Sequence, residues 1–469
     1  MANHKTPFKL DVKNVVFIKP PKPTPSSILS LSHIDNRPDG DGLGQIIYAY
    51  QSPSNHDDFL DSQLLLDPFF MIKEALSKAL LYYYPLAGRL VKHADGNFRI
   101  HFDGDCGVPF LEAVANCNLS SLHYFNGNDI EIAKHLAFNL PSHDQNGPQY
   151  PLVFKVTKFL CGGFTIAMGM SHVVADGFGA SQFYRAMAEL ASGKSEPSVK
   201  PVWERERLMG SITKQPFQCP IDVSTLAVSS FLPTTTLMHG CFKLDCKSIT
   251  RLKMNLMKES VDETMEKSFT TFEALGAYIW RSRAKALKLS YEGNATLITI
   301  VGIRGHLDPP LPDGYYGNAF VDPYTILRVK DLIERPLSEI AKLIRESNKF
   351  ASTRDYVTKS INTIYPRLED FNIYGDAVTL LTDWRHLGFM EKMDFGWNKL
   401  VNAVPDPCGM FGSESVCVFS TPSPLDPSMK GGVKIFVSLP SGAMVKFEEE
   451  MEALKQKSNP QEGCNLQED

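Results

Sequence analysis

Between residues 194 and 225 the chain loses every sustained hydrophobic period. The stretch is polar and carries Pro197, Pro201, Pro216 and Pro220, residues that break helices and that sheets tolerate only at their edges. The whole chain has 469 residues, more than the ~250–300 at which a single core stops growing. The expected organisation is a first domain at 1–193, a crossover stretch at 194–225 and a second domain at 226–469.

Both flanks interleave short strands with helices, which points to α+β domains that layer helices on mixed sheets. In the first, Ile46, Tyr48 and Tyr50 alternate as in a strand. Ile72, Leu76, Ala79 and Tyr83 repeat at helical spacing over 68–84, with Pro85 as the stop. Residues 89–102 read as a hairpin around Asp95-Gly96. Two strand-like runs, PLVFKVTKF and FTIAMGM, are split by Gly162-Gly163, and a helix follows over 179–190. In the second flank, strands are expected at 238–244, 296–303, 414–421 and 433–438. Helices are expected at 247–258, 270–287 and 442–456.

The composition is that of a folded chain, with 43% hydrophobic and 22% charged residues, so wholesale disorder is excluded. A net charge of −5 argues against a basic nucleic-acid-binding surface. Nine cysteines at scattered spacing, with no C-x-x-C, argue against a zinc site or a disulfide framework and for a reduced protein. No run approaches the ~18 apolar residues of a membrane span, and the N-terminal MANHKTPFKLDV lacks a signal pattern. A soluble cytoplasmic protein is expected, with no membrane or nucleic-acid partner and no bound metal.

One short segment stands out for chemistry: Ser171-His172-Val173-Val174-Ala175-Asp176-Gly177. An H-x-x-x-D spacing is weak evidence alone, and His101 with Asp105 forms a second copy. His101 lies on a strand whose Phe98, Ile100 and Phe102 share one face, so it is expected on the opposite, polar face. His172 instead ends an apolar strand, precedes a loop with Gly177 and Gly179, and leads into an amphipathic helix. Scaffolds place reactive side chains at such positions; a satisfied core histidine is the alternative. A neutral imidazole accepts protons near physiological pH. No G-x-S-x-G elbow, H-E-x-x-H pair or Walker A loop accompanies it, which disfavours serine-hydrolase, zinc-hydrolase and P-loop chemistry.

HVVADG, together with Asp394-Phe395-Gly396-Trp397-Asn398, resembles the BAHD acyltransferases of plant specialised metabolism, marked by H-x-x-x-D in mid-chain and D-F-G-W-G near the end. LSHID at 31–35, YYPLAGRL at 83–90, CGGF at 161–164, KPVWERE at 200–206 and PPLPDGYYGN at 309–318 agree in order, so the resemblance spans nearly the whole chain. It implies two similarly folded domains of the chloramphenicol acetyltransferase-like type with a channel between them, part of 370–400 packing with the first. The activity implied is acyl transfer from coenzyme A, used as a co-substrate with no resident cofactor, by a monomer.

By the same resemblance, His172 matches the catalytic base. Asp176 is implied to be structural, paired with Arg304, and Gly177 to shape the loop. Asp394 is grouped with the catalytic motif, though usually structural; Asn398 stands where the family has glycine, a position asparagine tolerates if φ is positive. Thr382 and Trp384 match a T-x-W segment on the acceptor side. Tyr316, Gly317 and Asn318 match a Y-F-G-N segment associated with coenzyme A or its supporting shell. Ala319 follows it in place of the cysteine typical of flavonoid-malonylating members. That difference leans the expectation towards acetyl or benzoyl transfer to a small alcohol of the terpenoid or benzyl kind. N-acylation of an amine is the enzymatic alternative, and a catalytically silent binding protein on the same scaffold is the alternative from another class. A carrier-dependent condensation domain shares H-x-x-x-D-G but not D-F-G-W.

Overall fold

The computed structural model describes residues 8–37, 42–52, 67–127, 130–139, 149–210, 215–216, 221–232, 234, 236–260, 268–364, 377–391, 393–395, 399–407, 413 and 415–456. The chain forms two compact units. The first takes in 1–212, 311–319 and 387–410, and the second 213–310, 320–386 and 411–469.

The first unit is built on a mixed sheet. Its strands run in the order Leu10–Val12, Val108–Ala115, Leu152–Lys158, Phe164–Ser171, Leu43–Gln51 and Lys399–Pro405, with Val16–Ile18 also beside Val108–Ala115. Every pairing is antiparallel except that of Val108–Ala115 with Leu152–Lys158. The alternation read at 46–50 marks a strand, but not a half-exposed one. Ile46, Ile47, Tyr48, Ala49 and Tyr50 are all buried, because the strand lies inside the sheet with both faces covered. Tyr48 stacks on Tyr184 at 3.9 Å and Tyr50 on Phe164 at 4.8 Å.

Helices Pro68–Ala79 and Gly177–Ala191 pack on one another. Asp67 caps the first by accepting from the Phe69 N–H at 3.2 Å. That helix ends a turn before the expected Tyr84. Pro85 biases its predecessor out of the α region and clashes with the carbonyl four residues back, so it sits in a separate 3₁₀ turn, Tyr84–Ala87. The expected hairpin forms from Arg89–Lys92 and Phe98–Phe102, with Gly96 at φ 81°, and Ser27–Ser30 adds a third strand. Phe98, Ile100 and Phe102 are buried. His101 is on the other face, but it is half-buried and its Nε2 lies 2.8 Å from that of His93.

Residues 194–210, placed by sequence in the crossover stretch, are held in this first unit. Val202 donates to the Gly314 carbonyl at 2.9 Å and accepts from Tyr316 at 2.9 Å, and Arg205 is buried. Gly314 makes this approach possible. Its φ is 81°, and a β-carbon there would stand 2.2 Å from the Lys200 carbonyl oxygen. Gly96 has the same φ with nothing within 4 Å. Gly96→Ala is expected to cost about 1–2 kcal/mol of backbone strain. Gly314→Ala adds overpacking of about 1–3 kcal/mol, and its lower thermal midpoint relative to Gly96→Ala measures the difference.

The second unit carries a mixed sheet in the order Leu237–Leu244, Val433–Pro440, Val416–Ser420, Val378–Asp383, Asn294–Thr299 and Tyr324–Arg328. The Val378–Asp383 strand runs parallel to both of its neighbours, and the other pairings are antiparallel. Helix Thr271–Ala286 starts at a capping box. The Thr270 hydroxyl accepts from the Glu273 N–H, and the Glu273 carboxylate accepts from the Thr270 N–H, which satisfies two orphan donors. The helix packs against Leu337–Ala351 and Ser441–Gln456, and its Leu275, Ile279 and Trp280 join Leu297, Ile344, Phe419 and Phe447 in the core. Arg283 is buried too, donating to the Thr379 hydroxyl at 3.0 Å.

Cys106, Cys117, Cys161, Cys241 and Cys417 are free thiols. The reduced state expected for the cysteines is departed from at Cys246, which is disulfide-bonded. Among the described residues no helix is long and apolar enough to cross a membrane, and no three metal-ligating side chains cluster.

Candidate active site

Strand Phe164–Ser171 is buried along its whole length and delivers His172 at its C-terminal end. The His172 N–H donates to the Gly42 carbonyl at 3.0 Å, and Val174 N–H to Ser171 at 2.9 Å, so the chain turns at once. His172 is half-buried while Val173, Val174 and Ala175 are buried. The loop ends where Asp176, in extended geometry, caps helix Gly177–Ala191.

Asp176 uses both carboxylate oxygens on backbone donors: Oδ1 accepts from Gly179 N–H at 2.9 Å and Oδ2 from Ala319 N–H at 3.0 Å. It is a brace between the helix start and the segment 311–319. Gly177 opens the helix, and a β-carbon there would meet Leu387 Cδ1 at 2.7 Å.

Residues 316–318 lie beside this loop. Asn318 donates from Nδ2 to the His172 carbonyl at 2.6 Å and to Asp35 Oδ1 at 2.9 Å, and its backbone N–H also reaches Asp35 Oδ1 at 2.9 Å. Asp35 Oδ2 accepts from Arg205 Nη1 and from the Ser32 N–H. Arg205 Nη2 donates to the Val174 carbonyl at 2.8 Å. Gly317 leaves room for this guanidinium, since a β-carbon would fall 2.9 Å from Arg205 Cζ. Tyr316 is fully buried, its ring 5.0 Å from Tyr83 and 5.1 Å from Trp203, its hydroxyl donating to Met170 Sδ at 3.4 Å. Burial holds its phenol pKa well above the usual value, so it is a neutral donor.

Asp35 and Arg205 were not among the sequence-derived candidates. Their stretches, LSHID and KPVWERE, stood out only as resemblance, and a pair 170 residues apart leaves no local pattern to read.

Asp394 is exposed, and its Oδ1 accepts from Leu400 N–H at 3.0 Å. This bond closes the loop that leads into strand Lys399–Pro405. Phe395 anchors the same loop, 5.5 Å from the Tyr50 ring and 6.0 Å from Tyr184. Gly396, Trp397 and Asn398 lie outside the described residues.

Thr382, Trp384 and Arg304 belong to the second unit. Thr382 is near the end of strand Val378–Asp383, in register with Val418. The Trp384 N–H donates to the Phe419 carbonyl at 2.8 Å, and its side chain is buried. Between them Asp383 takes a bidentate pair from Arg385, with Nε–Oδ1 at 2.9 Å and Nη2–Oδ2 at 2.6 Å. Such a fork fixes both side chains. Arg304 is half-buried in the turn after strand Val301–Gly302.

Residues 8–454 match the family described as "Transferase family". Spermidine coumaroyl-CoA acyltransferase of Arabidopsis thaliana is 40% identical, over 97% of this chain and 98% of that protein. Spermidine sinapoyl-CoA acyltransferase of the same plant is also 40% identical, over 96% and 98%. Taxadien-5-alpha-ol O-acetyltransferase of Taxus chinensis is 32% identical over 97% and 98%. The crystal structure of vinorine synthase superposes with a TM-score of 0.71 at 22% identity, covering 95% of this chain and 98% of that one, a likeness of fold. A histidine loop held at a strand end, on a chain that matches these acyltransferases from end to end, leaves one conclusion: the protein belongs to the BAHD transferase family and is an acyltransferase that uses acyl-coenzyme A as co-substrate.

Proposed function

We propose that the enzyme transfers a hydroxycinnamoyl-type acyl group from coenzyme A to an aliphatic amine of the polyamine class, with His172 as the base. The observation that carries this is the 40% identity, over nearly the full chain, to two proteins named for acylating spermidine. The named alcohol acylator from Taxus chinensis stands at 32%. The alcohol acceptor expected from the resemblance is the alternative reading, supported by that O-acetyltransferase.

In this reading the neutral amine attacks the thioester carbonyl. As the C–N bond forms, the imidazole of His172 takes the proton that nitrogen must lose. The tetrahedral oxyanion collapses, the C–S bond breaks, and the imidazolium returns its proton to the departing sulfur. Base catalysis of this kind contributes ~10²–10⁴-fold, and holding thioester and amine in line supplies much of the rest. Thr382 and Trp384 are assigned to the acceptor side, and Arg304 to Asp176, on the resemblance alone. Asp394 is assigned a structural role.

An alkylammonium has a pKa near ~10, so its reactive neutral form is scarce at pH 7. From pH 7.5 to 9, kcat/KM for spermidine with coumaroyl-CoA is expected to rise about tenfold per unit. An alcohol has no ammonium proton to lose first, so its profile should lack this amine-dependent rise. The panel pairs spermidine and benzyl alcohol with coumaroyl-CoA and acetyl-CoA, with products identified by mass spectrometry. Ester formation from the alcohol with no amide from spermidine would overturn the amine assignment.

A further inference from the structure

Three stretches singled out in the sequence, 31–35, 200–206 and 309–318, had no shared role. In the first unit each sends one polar side chain to the same place. We propose that Asp35, Arg205 and Asn318 form a positioning unit that sets where the His172 imidazole stands, by gripping its loop through two main-chain carbonyls. This rests on the reading of His172 as the base.

The donor count supports it. The Asn318 amide has two hydrogens, and both are engaged, one by the His172 carbonyl and one by Asp35. None is left for a bound coenzyme. Its orientation is unambiguous, because a flipped amide would set its oxygen against the Asp35 carboxylate and the His172 carbonyl. Arg205 grips the second carbonyl, that of Val174, from the other end of the same carboxylate. Asp35 therefore orients both grips, and its remaining acceptor capacity is taken by the Ser32 N–H.

The burial fits a part that fixes geometry. Asp35, Arg205 and Asn318 are 1%, 2% and 1% exposed. A buried ion pair is weak evidence of net stabilisation, since an apolar replacement is often as stable. What the triad uniquely supplies is directional donors aimed at carbonyls on either side of Val173. A loop that carries a base must hold it within a fraction of an ångström, and a 1 Å displacement costs on the order of 10²-fold in rate.

The test is Asn318→Ala, made in the native enzyme and in a His172→Ala background, with kcat and both KM values measured by thiol release. The proposal expects kcat to fall about 10–100-fold in the native background, both KM values to stay within about twofold, and less than about a twofold further loss when His172 is already absent. A raised KM for acyl-coenzyme A with kcat intact would make Asn318 a coenzyme contact and overturn the proposal. An unchanged kcat would overturn it too. Full turnover by His172→Ala would instead remove the base reading, and the positioning role with it. If Asn318→Ala does not accumulate as folded protein, Arg205→Lys decides. It keeps a cation opposite Asp35 but lacks the fork needed to reach Val174 as well. The same kcat-only loss sustains the proposal, and a native kcat refutes it.

Discussion

Replacing His172 by alanine should lower kcat at least about 100-fold, while His101→Ala should leave turnover within about twofold. The lower bound is the smallest usual contribution of a general base, worth about 2.7 kcal/mol of barrier. The loop keeps the main-chain bonds that hold it at this residue, from His172 N–H to the Gly42 carbonyl and from Asn318 to the His172 carbonyl. Melting temperatures of His172→Ala and wild type, measured alongside, separate a loss of fold from a loss of chemistry. His101 shares a spacing to aspartate with His172, but it sits on a hairpin strand with its ring against His93. Thiol release with coumaroyl-CoA and spermidine measures both variants. Retention of more than a tenth of the wild-type rate by His172→Ala would sink the assignment.

Asp176→Ala should damage the fold as well as the rate. The substitution removes a helix cap, worth about 1 kcal/mol. It also leaves the Ala319 N–H buried without its acceptor, at about 1–3 kcal/mol. The expected loss is therefore about 2–4 kcal/mol, seen as a lower thermal midpoint and poorer soluble yield. Asp176→Asn keeps one acceptor oxygen and should fall between the two. An alanine variant that melts like wild type yet makes no product would assign Asp176 a chemical role instead.

The elements with strong local punctuation were legible. Asp95-Gly96 marked its hairpin, the helix expected at 270–287 formed over Thr271–Ala286, and the histidine loop lay between the strand and helix that were read. What escaped depended on distant partners. Nothing near Tyr48 says that strand Lys399–Pro405 will pair along its strand's edge, or that Tyr184 will stack on its ring. Nothing near Arg205 says that its charge will be met by Asp35. Within the aperiodic 194–225 stretch, residues 194–210 are anchored by single contacts, at Val202 through the main chain and at Arg205 through its side chain, and such contacts leave no repeating pattern to read. The helices Val329–Glu334, Leu337–Ala351 and Arg354–Ile361 lie in a stretch where no periodicity was read.

The late strand Lys399–Pro405 has a consequence for how the molecule is made. The first unit receives this strand, and the segment bearing Asn318, long after its own residue 212. At ~5–20 residues per second, a ribosome takes roughly 10–40 s to cover that gap. Throughout that interval strand Leu43–Gln51 lacks its neighbour along one edge, leaving main-chain N–H and C=O groups of the kind that recruit other strands. A nascent chain of this design cannot complete the sheet of its first unit before most of the second has emerged.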